Sequence, residues 1–195
     1  IPKFAPFMPL PPADMMLARQ PAADALTGRE LFSSGRDAIL RILHLEKIEA
    51  SRRVFLPHFF CPQLVKIISG KCEVGFYEDL PSETFPRFET LAPKRGDIVI
   101  AVNFFGLRNR SIWETWAKPE GVLLAEDHSH APFSDRALSS RADYAFASLR
   151  KCLPLPDGAW LKSKGRKAAK MFLRGGGMEP FAADSLSLAA VLERQ

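Results

Sequence analysis

Short apolar runs that end in polar residues recur along this chain, and they constrain its fold more than any other feature. The run at 97–105 is almost wholly apolar, and the run at 122–125 leads directly into Glu126, Asp127 and His128. Such runs are typical of strands buried on both faces, as in a parallel sheet covered by helices. Stretches with helical spacing lie between them. The alternation predicts an α/β fold, a three-layer α/β/α sandwich with a mainly parallel sheet.

The predicted elements follow from this periodicity and from Pro and Gly residues. Strands are predicted at 53–57, 73–77, 97–105, 122–126 and 144–149, with one antiparallel strand at 158–162. Helices are predicted at 35–45, from Pro62 to Gly70, and at 111–118, 165–173 and 185–194. Helical or long connections separate the first five strands, and such crossovers are what parallel pairing requires.

One lysine follows an apolar, strand-like run. Lys151 has Ser148 three residues before it and a Pro/Gly-rich turn after it. Burying an ammonium group is costly unless the amine is used, and one use is a Schiff base with a cofactor aldehyde. The alternative is a solvated lysine at a strand end.

Two further segments carry complementary chemistry. Asp127 ends a predicted parallel strand, at the edge where open α/β sheets bind ligands, and a carboxylate there can hold a protonated pyridine nitrogen. Its alternative role is to cap the next turn. Ser34, Gly35 and Arg36 precede a helical pattern, where free backbone N–H groups can bind a phosphate.

Five motifs together resemble a known family. In chain order they are Ser-Gly-Arg-Asp-Ala at 34–38, Phe-Leu-Pro-His-Phe-Phe-Cys at 55–61, Val-Asn-Phe-Phe-Gly at 102–106, Glu-Asp-His-Ser-His at 126–130 and Ser-Leu-Arg-Lys at 148–151. The chain resembles the DegT/DnrJ/EryC1/StrS aminotransferases over residues 30 to 162. These are pyridoxal 5'-phosphate (PLP) enzymes of fold type I that often act on nucleotide-linked keto sugars.

The resemblance implies a role for several residues. Lys151 would hold PLP and move the α-proton, Asp127 would bind the pyridine nitrogen, and His130 would lie beside the phenolic oxygen. The alternative for His130 is an ordinary loop histidine with no role at the cofactor. The phosphate would be bound by Ser34, Gly35, Arg36 and Ser148, with Arg36 where the family more often has threonine.

An aromatic ring should cover one face of the cofactor. The strict alignment puts Cys61 at that position, directly after Phe59 and Phe60, and Phe60 is our candidate. All three could instead belong to the core. Asn103 is a weaker candidate for lining the pocket.

The chain divides into a Pro-rich lead at 1–29, a PLP-binding large domain at 30–174 and a tail, or remnant of a small domain, at 175–195. Members of the family are longer, with a C-terminal domain that helps to complete the substrate pocket. We therefore expect this C-terminal domain to be largely absent here.

The resemblance implies a transaminase that takes an amino group from a small-molecule donor to a keto-sugar acceptor and works as a homodimer. An alternative is a catalytically idle or truncated paralogue that serves as a binding or assembly module. Another is sugar dehydration, although the family's dehydratases have histidine where this chain has Lys151.

Composition excludes other classes. No apolar run is long enough to span a bilayer and no signal-peptide pattern opens the chain, so we expect no membrane association. Three cysteines without metal-ligand spacing indicate a cytoplasmic protein and disfavour a zinc site with His128 and His130. The net charge of +5 comes largely from a basic cluster near the C-terminus, which we interpret as a solvated face rather than a nucleic-acid site.

Overall fold

The computed structural model describes residues 26–48, 50–108 and 111–165. Its strands are β1 (Glu30–Phe32), β2 (Arg53–Pro57), β3 (Glu73–Tyr77), β4 (Ile98–Val102), β5 (Leu123–Asp127), β6 (Tyr144–Ser148) and β7 (Ala159–Ser163). Its helices are α1 (Gly35–Leu45), α2 (Pro62–Ser69), α3 (Ser111–Glu114) and α4 (Asp135–Leu138). Single 3-10 turns occur at Phe88–Thr90, Phe104–Gly106 and Leu149–Lys151. None of the helices in these ranges has the length and apolar character needed to cross a bilayer.

The described strands form one sheet in the order β1-β7-β6-β5-β4-β2-β3. Strands β2 to β6 pair in parallel. Strand β7 pairs antiparallel with both β6 and β1, so β7 alone among the described strands runs against the rest. The predicted sheet, parallel except for one strand near 158–162, is confirmed.

Helices cover both faces of this sheet. On one face, α1 and α2 pack through apolar side chains such as Ile39 and Ile68 against Leu56 and Ile100. On the other face, α3 and α4 pack over residues that include Val99, Leu124 and Ala147. The alternation of side chains along each buried strand supplies both cores. The three-layer α/β/α sandwich expected from the sequence is confirmed.

Several element boundaries differ from the prediction. Strand β4 ends at Val102 rather than 105, because Phe105 (φ 54) and Gly106 (φ 71) adopt left-handed backbone that a strand cannot continue. Helix α3 ends at Glu114 rather than 118, and the Thr115 hydroxyl donates to the Ile112 carbonyl just past its end. Strands β5 and β6 end at 127 and 148. Strand β1 was not predicted, and the predicted helices at 165–173 and 185–194 lie outside the described residues.

Candidate functional site

Two neighbouring parallel strands end in polar residues at the carboxyl edge of the sheet. Asp127 is the last residue of β5 and pairs in register with Phe146 of β6, so both side chains lie on the same sheet face. Strand β6 ends at Ser148, and the turn that follows it ends at Lys151. The structure therefore brings the predicted carboxylate and lysine to one edge of the sheet.

The amino end of α1 lies against this same edge. A Cβ atom added to Gly35 would lie 3.3 Å from Ser148 Cβ and 3.9 Å from Ser129 Oγ, an approach that only glycine makes without displacing its neighbours. Helix geometry leaves the first N–H groups of α1 without a carbonyl partner inside the helix. These donors carry the positive end of the helix dipole, which favours an anion at this position.

Ser34 caps α1 in an extended conformation. Its Oγ accepts a hydrogen bond from the Asp37 backbone N–H at 3.4 Å and donates to the Asp37 carboxylate at 2.7 Å. The hydroxyl group is thus fixed against the first turn of the helix.

A cleft of about 180 Å³ opens where these elements meet. Six of the sequence-predicted site residues line it: Ser34, Gly35, Arg36, Asp127, Ser148 and Lys151. The other lining residues are Cys61, Gln63, Leu64, Ser129, Phe146 and Arg150.

One carboxylate oxygen of Asp127 accepts a hydrogen bond, and the other has no partner among the described residues. The side chain is buried, and its Oδ1 accepts a hydrogen bond from the Ser129 backbone N–H at 2.8 Å. Its Oδ2 accepts no hydrogen bond from any residue of the described ranges. The carboxylate therefore serves the turn after β5, which was its alternative role, and still keeps an acceptor for a ligand.

Lys151 is exposed at the end of its turn. Within the part of the chain that the structure describes, its amine makes no hydrogen bond or ion pair. It does not pair with Asp127, although both line the same cleft. Two further exposed cations, Arg36 and Arg150, line the cleft beside it. The site thus combines one buried carboxylate with three cations.

His130 lies next to these groups rather than in the cleft wall. Burial, and secondarily the Lys151 cation, lower the pKa of His130, while the Asp127 carboxylate acts to raise it. Its ring stacks on Phe105 with centroids 4.7 Å apart, and its buried Nδ1 has no hydrogen-bond partner among the described residues. The left-handed backbone of Phe105 places this ring over the imidazole.

Asn103 lies behind the cleft instead of lining it. It is fully buried, with its Nδ2 at 3.1 Å from His128 Nδ1 and 3.4 Å from Ser134 Oγ. His128 is also fully buried, with its Nε2 at 3.3 Å from Glu126 Oε2. No group of three or more potential metal ligands occurs in the described ranges.

The structure does not bring Phe60 to the cleft. Phe60 packs against the core under α1 and α2, and Phe59 is 53% exposed with its ring edge-on to Phe104. Cys61, the N-cap of α2, lines the cleft instead.

Sequence reasoning missed three polar residues of the site. Ser129 accepts a hydrogen bond from the Ser148 backbone N–H at 3.0 Å and so ties the loop after β5 to the end of β6. Gln63 and Arg150 also line the cleft. The adjacency of Ser129 to Asp127 and of Arg150 to Lys151 is the signal that could have identified two of them.

Solved aminotransferase structures share this fold. A DegT DnrJ EryC1 StrS aminotransferase from Brucella abortus is 20% identical with a TM-score of 0.55, over 69% of this chain and 41% of that one. The aminotransferase TlmJ from Streptoalloteichus hindustanus is 19% identical with a TM-score of 0.59, over 73% of this chain and 43% of that one. A Streptococcus pneumoniae protein assigned as a sugar aminotransferase, in its PLP form, is 13% identical with a TM-score of 0.58, over 71% of this chain and 42% of that one.

These likenesses establish the fold. The chain spans about two fifths of the length of each of these proteins. The expectation of a fold type I large domain, drawn from the resemblance, is therefore confirmed as to architecture. No protein-family model and no curated protein matches the sequence.

Proposed function

We propose that this chain is the cofactor-binding part of a PLP-dependent aminotransferase that transfers an amino group to a keto sugar. The observation that carries this proposal is the convergence of Asp127, Lys151 and the amino end of α1 on one cleft. Asp127 and Lys151 follow neighbouring parallel strands, and α1, which begins 92 positions before Asp127, brings its amino end to the same edge of the sheet.

The chemistry of the cleft fits PLP. The unpartnered Oδ2 of Asp127 suits a pyridinium N–H, and the unpaired amine of Lys151 suits an aldehyde. The N–H groups at the start of α1, together with Ser148 and the Arg36 cation, suit a phosphate. A carboxylate, an amine and an anion site thus border one cavity.

When bound, PLP supplies an aldehyde that condenses with amines and a ring that accepts electrons from the substrate carbon. Asp127 would accept the ring N–H through Oδ2 and keep that nitrogen protonated. The Lys151 amine would hold the cofactor at its aldehyde carbon and, when free, would take and return the proton at the substrate α-carbon.

His130 is the proposed partner of the cofactor's phenolic oxygen. Its lowered pKa keeps the imidazole neutral at pH 7, so it donates or accepts a hydrogen bond without adding charge. The stack on Phe105 fixes the ring plane.

Phe60 is not among the residues that line the cleft. Of the side chains that do line it, Phe146, Leu64 and Cys61 provide its apolar surface. We propose that this surface would cover the face of the pyridine ring in place of Phe60.

A sugar acceptor is supported by the resemblance and by the sugar aminotransferase among the structures that share the fold. A homodimer is proposed on the same resemblance, with the exposed rings of Phe59 and Phe105 near this edge of the sheet as candidate contacts.

Titration of the purified chain with PLP tests this function. We expect visible absorption from a lysine-bound cofactor, and an amino donor should convert it to the pyridoxamine form. Asp127→Asn should weaken binding and abolish conversion, whereas Asp135→Asn, an exposed carboxylate in α4, should behave like the wild type. Cofactor binding without conversion by any donor would favour the alternative, an idle binding module. No binding would refute the proposal.

A further inference from the structure

Ser129 lines the cleft, and the family resemblance assigns it no role. It lies two positions after Asp127, in the loop that leaves β5, and only 4% of its surface is exposed. Its Oγ accepts the hydrogen bond from the Ser148 backbone N–H at 3.0 Å. The hydroxyl proton of Ser129 is donated to no residue in the ranges that the structure describes. Ser129 therefore keeps one donor for a ligand.

Ser148 brings a second buried hydroxyl group to the same place. It is also 4% exposed and lines the cleft, and its Oγ has no hydrogen-bond partner within the described part of the chain. A Cβ atom added to Gly35 would lie 3.3 Å from Ser148 Cβ and 3.9 Å from Ser129 Oγ. Two hydroxyl groups that have a proton to donate thus lie beside the first residue of α1.

The serine that caps α1 has already donated its proton. The Ser34 hydroxyl donates to the Asp37 carboxylate at 2.7 Å, and the Ser33 hydroxyl donates to the same carboxylate at 3.2 Å. Because a serine hydroxyl has one proton, Ser34 in this arrangement has none left for an anion in the cleft. Asp37 itself does not line the cleft. A phosphate at the start of α1 therefore needs hydroxyl donors from other elements.

The charges that line the cleft favour an anion there. Arg36, Arg150 and Lys151 are exposed cations, and Asp127 is the only carboxylate among the described residues of the lining. One oxygen of Asp127 is held by the Ser129 backbone N–H at 2.8 Å. The first N–H groups of α1 add the positive end of the helix dipole. The lining is thus positive overall, with the two free hydroxyl groups at the helix start.

We propose that Ser129 donates its hydroxyl proton to a phosphate group bound at the start of α1, beside the Ser148 hydroxyl. The inference rests on the proposed function, because it takes this phosphate to be that of the cofactor. The Ser148 N–H, the Ser129 hydroxyl and a phosphate oxygen then form a chain of hydrogen bonds in which each bond polarises the next. Hydrogen bonds to an ionised acceptor are stronger than neutral ones.

Calorimetric titration of the full chain with pyridoxine 5'-phosphate tests this contact. This ligand carries the phosphate but no aldehyde, so it cannot bond covalently to Lys151. Pyridoxine and inorganic phosphate are the comparison ligands, with the ionic strength held constant by NaCl. We expect pyridoxine 5'-phosphate to bind at least about ten times more tightly than either. No preference over pyridoxine would overturn the site, and equally tight binding of inorganic phosphate would overturn the cofactor as the source of the phosphate.

Ser129→Ala removes the proposed donor. It should lower the preference for pyridoxine 5'-phosphate over pyridoxine about tenfold or more, because a hydrogen bond to a charged group is lost. A general loosening of the loop would instead weaken both ligands alike. Ser69→Ala is the matched control, since the Ser69 hydroxyl donates to the Lys66 carbonyl at 3.0 Å at the exposed end of α2. Equal losses for both ligands, or no larger effect than in Ser69→Ala, would overturn the inference.

Amide NMR of the isotope-labelled wild type gives a readout that needs no variant. Saturation with pyridoxine 5'-phosphate should shift the Ser148 amide proton downfield, because the Ser129 oxygen becomes a stronger acceptor once its own proton is donated. Pyridoxine should leave this signal in place. No shift with the phosphorylated ligand would overturn the inference, even if Ser129→Ala fails to fold. The shift and the tenfold loss would support it even if no amino donor is turned over, so its failure and that of the proposed function are distinguishable.

Discussion

Gly35 and Ser148 lie so close together, although 113 positions separate them in the sequence, that a Cβ atom added to Gly35 would lie 3.3 Å from Ser148 Cβ. This contact brings the amino end of α1 to the end of β6, three residues before Lys151. The distance is shorter than most real Cβ contacts, so Ser148 must shift by a few tenths of an ångström to accommodate a methyl group at position 35.

Gly35→Ala should therefore weaken PLP binding about tenfold, because the N–H donors at the helix start move away from the phosphate. Gly70→Ala is the matched control, since a Cβ there makes only ordinary contacts of 3.5 Å or more and its φ is −75. Fluorescence titration with PLP measures both affinities, and thermal melts of the cofactor-free proteins should remain similar. Equal affinities in the two variants would contradict this role for the contact.

His130 provides an electrostatic test that needs no substrate. Because burial and the Lys151 cation both disfavour its charged form, its pKa should lie below the ordinary 6.5. Lys151→Ala removes the cation and should raise this pKa, whereas Asp127→Asn removes the opposing carboxylate and should lower it further. The histidine ring signals in an NMR pH titration report both shifts. Shifts of the same sign in the two variants would show that His130 does not lie between these charges.

Glu126 should make the free energy of unfolding depend on pH in the acidic range. Burial acts to raise its pKa, but the adjacent His128 ring, the Arg136 cation and the Ser140 hydroxyl together lower it to about 2 in the folded chain, from 4.5. The unfolded state therefore binds the proton more tightly than the folded state does. The ionised Glu126 side chain contributes to the free energy of unfolding above pH 4.5, and this contribution, about a few kcal/mol, is lost as the pH falls towards 2.

Urea unfolding measured from pH 6 to pH 2 tests this dependence, with Glu126→Gln as the comparison. The wild type should lose more free energy of unfolding on acidification than the variant does, because glutamine has no proton to bind. Parallel pH profiles for the two proteins would show that Glu126 is not the group responsible.

Much of the fold could be predicted because its signals are local. The strand that ends at Asp127 and the helix between Ser34 and Leu45 each carry their own apolar period and polar boundary. The short strand β1 carries no such signal, since its pairing partner β7 lies about 130 residues away and supplies its hydrogen bonds. The end of β4 was missed because the left-handed backbone at Phe105 is a tertiary effect at a non-glycine residue.

The candidate site also contains some residues that a local sequence signal could identify and others that it could not. Asp127, Lys151 and Ser34 could be identified from the residue types at the ends of elements, and the structure places them around one cleft. Cys61 and Phe60 are adjacent, so the sequence could not decide which would face the cleft; the direction in which the chain enters α2 decides it. The hydrogen bond from the Ser148 backbone N–H to Ser129 forms where two segments distant in sequence meet, and no local sequence pattern predicts it.

Borohydride reduction of the PLP-loaded chain, followed by peptide mapping, tests the central proposal most directly. We expect a stable pyridoxyl group on Lys151, and no such label in Lys151→Ala, which should also lose transamination by several orders of magnitude. Lys162→Ala is the control, because the Lys162 amine instead donates to the Ser140 carbonyl at 3.2 Å, and this variant should label like the wild type. A pyridoxyl group on Lys162, or one retained in Lys151→Ala, would contradict the assignment.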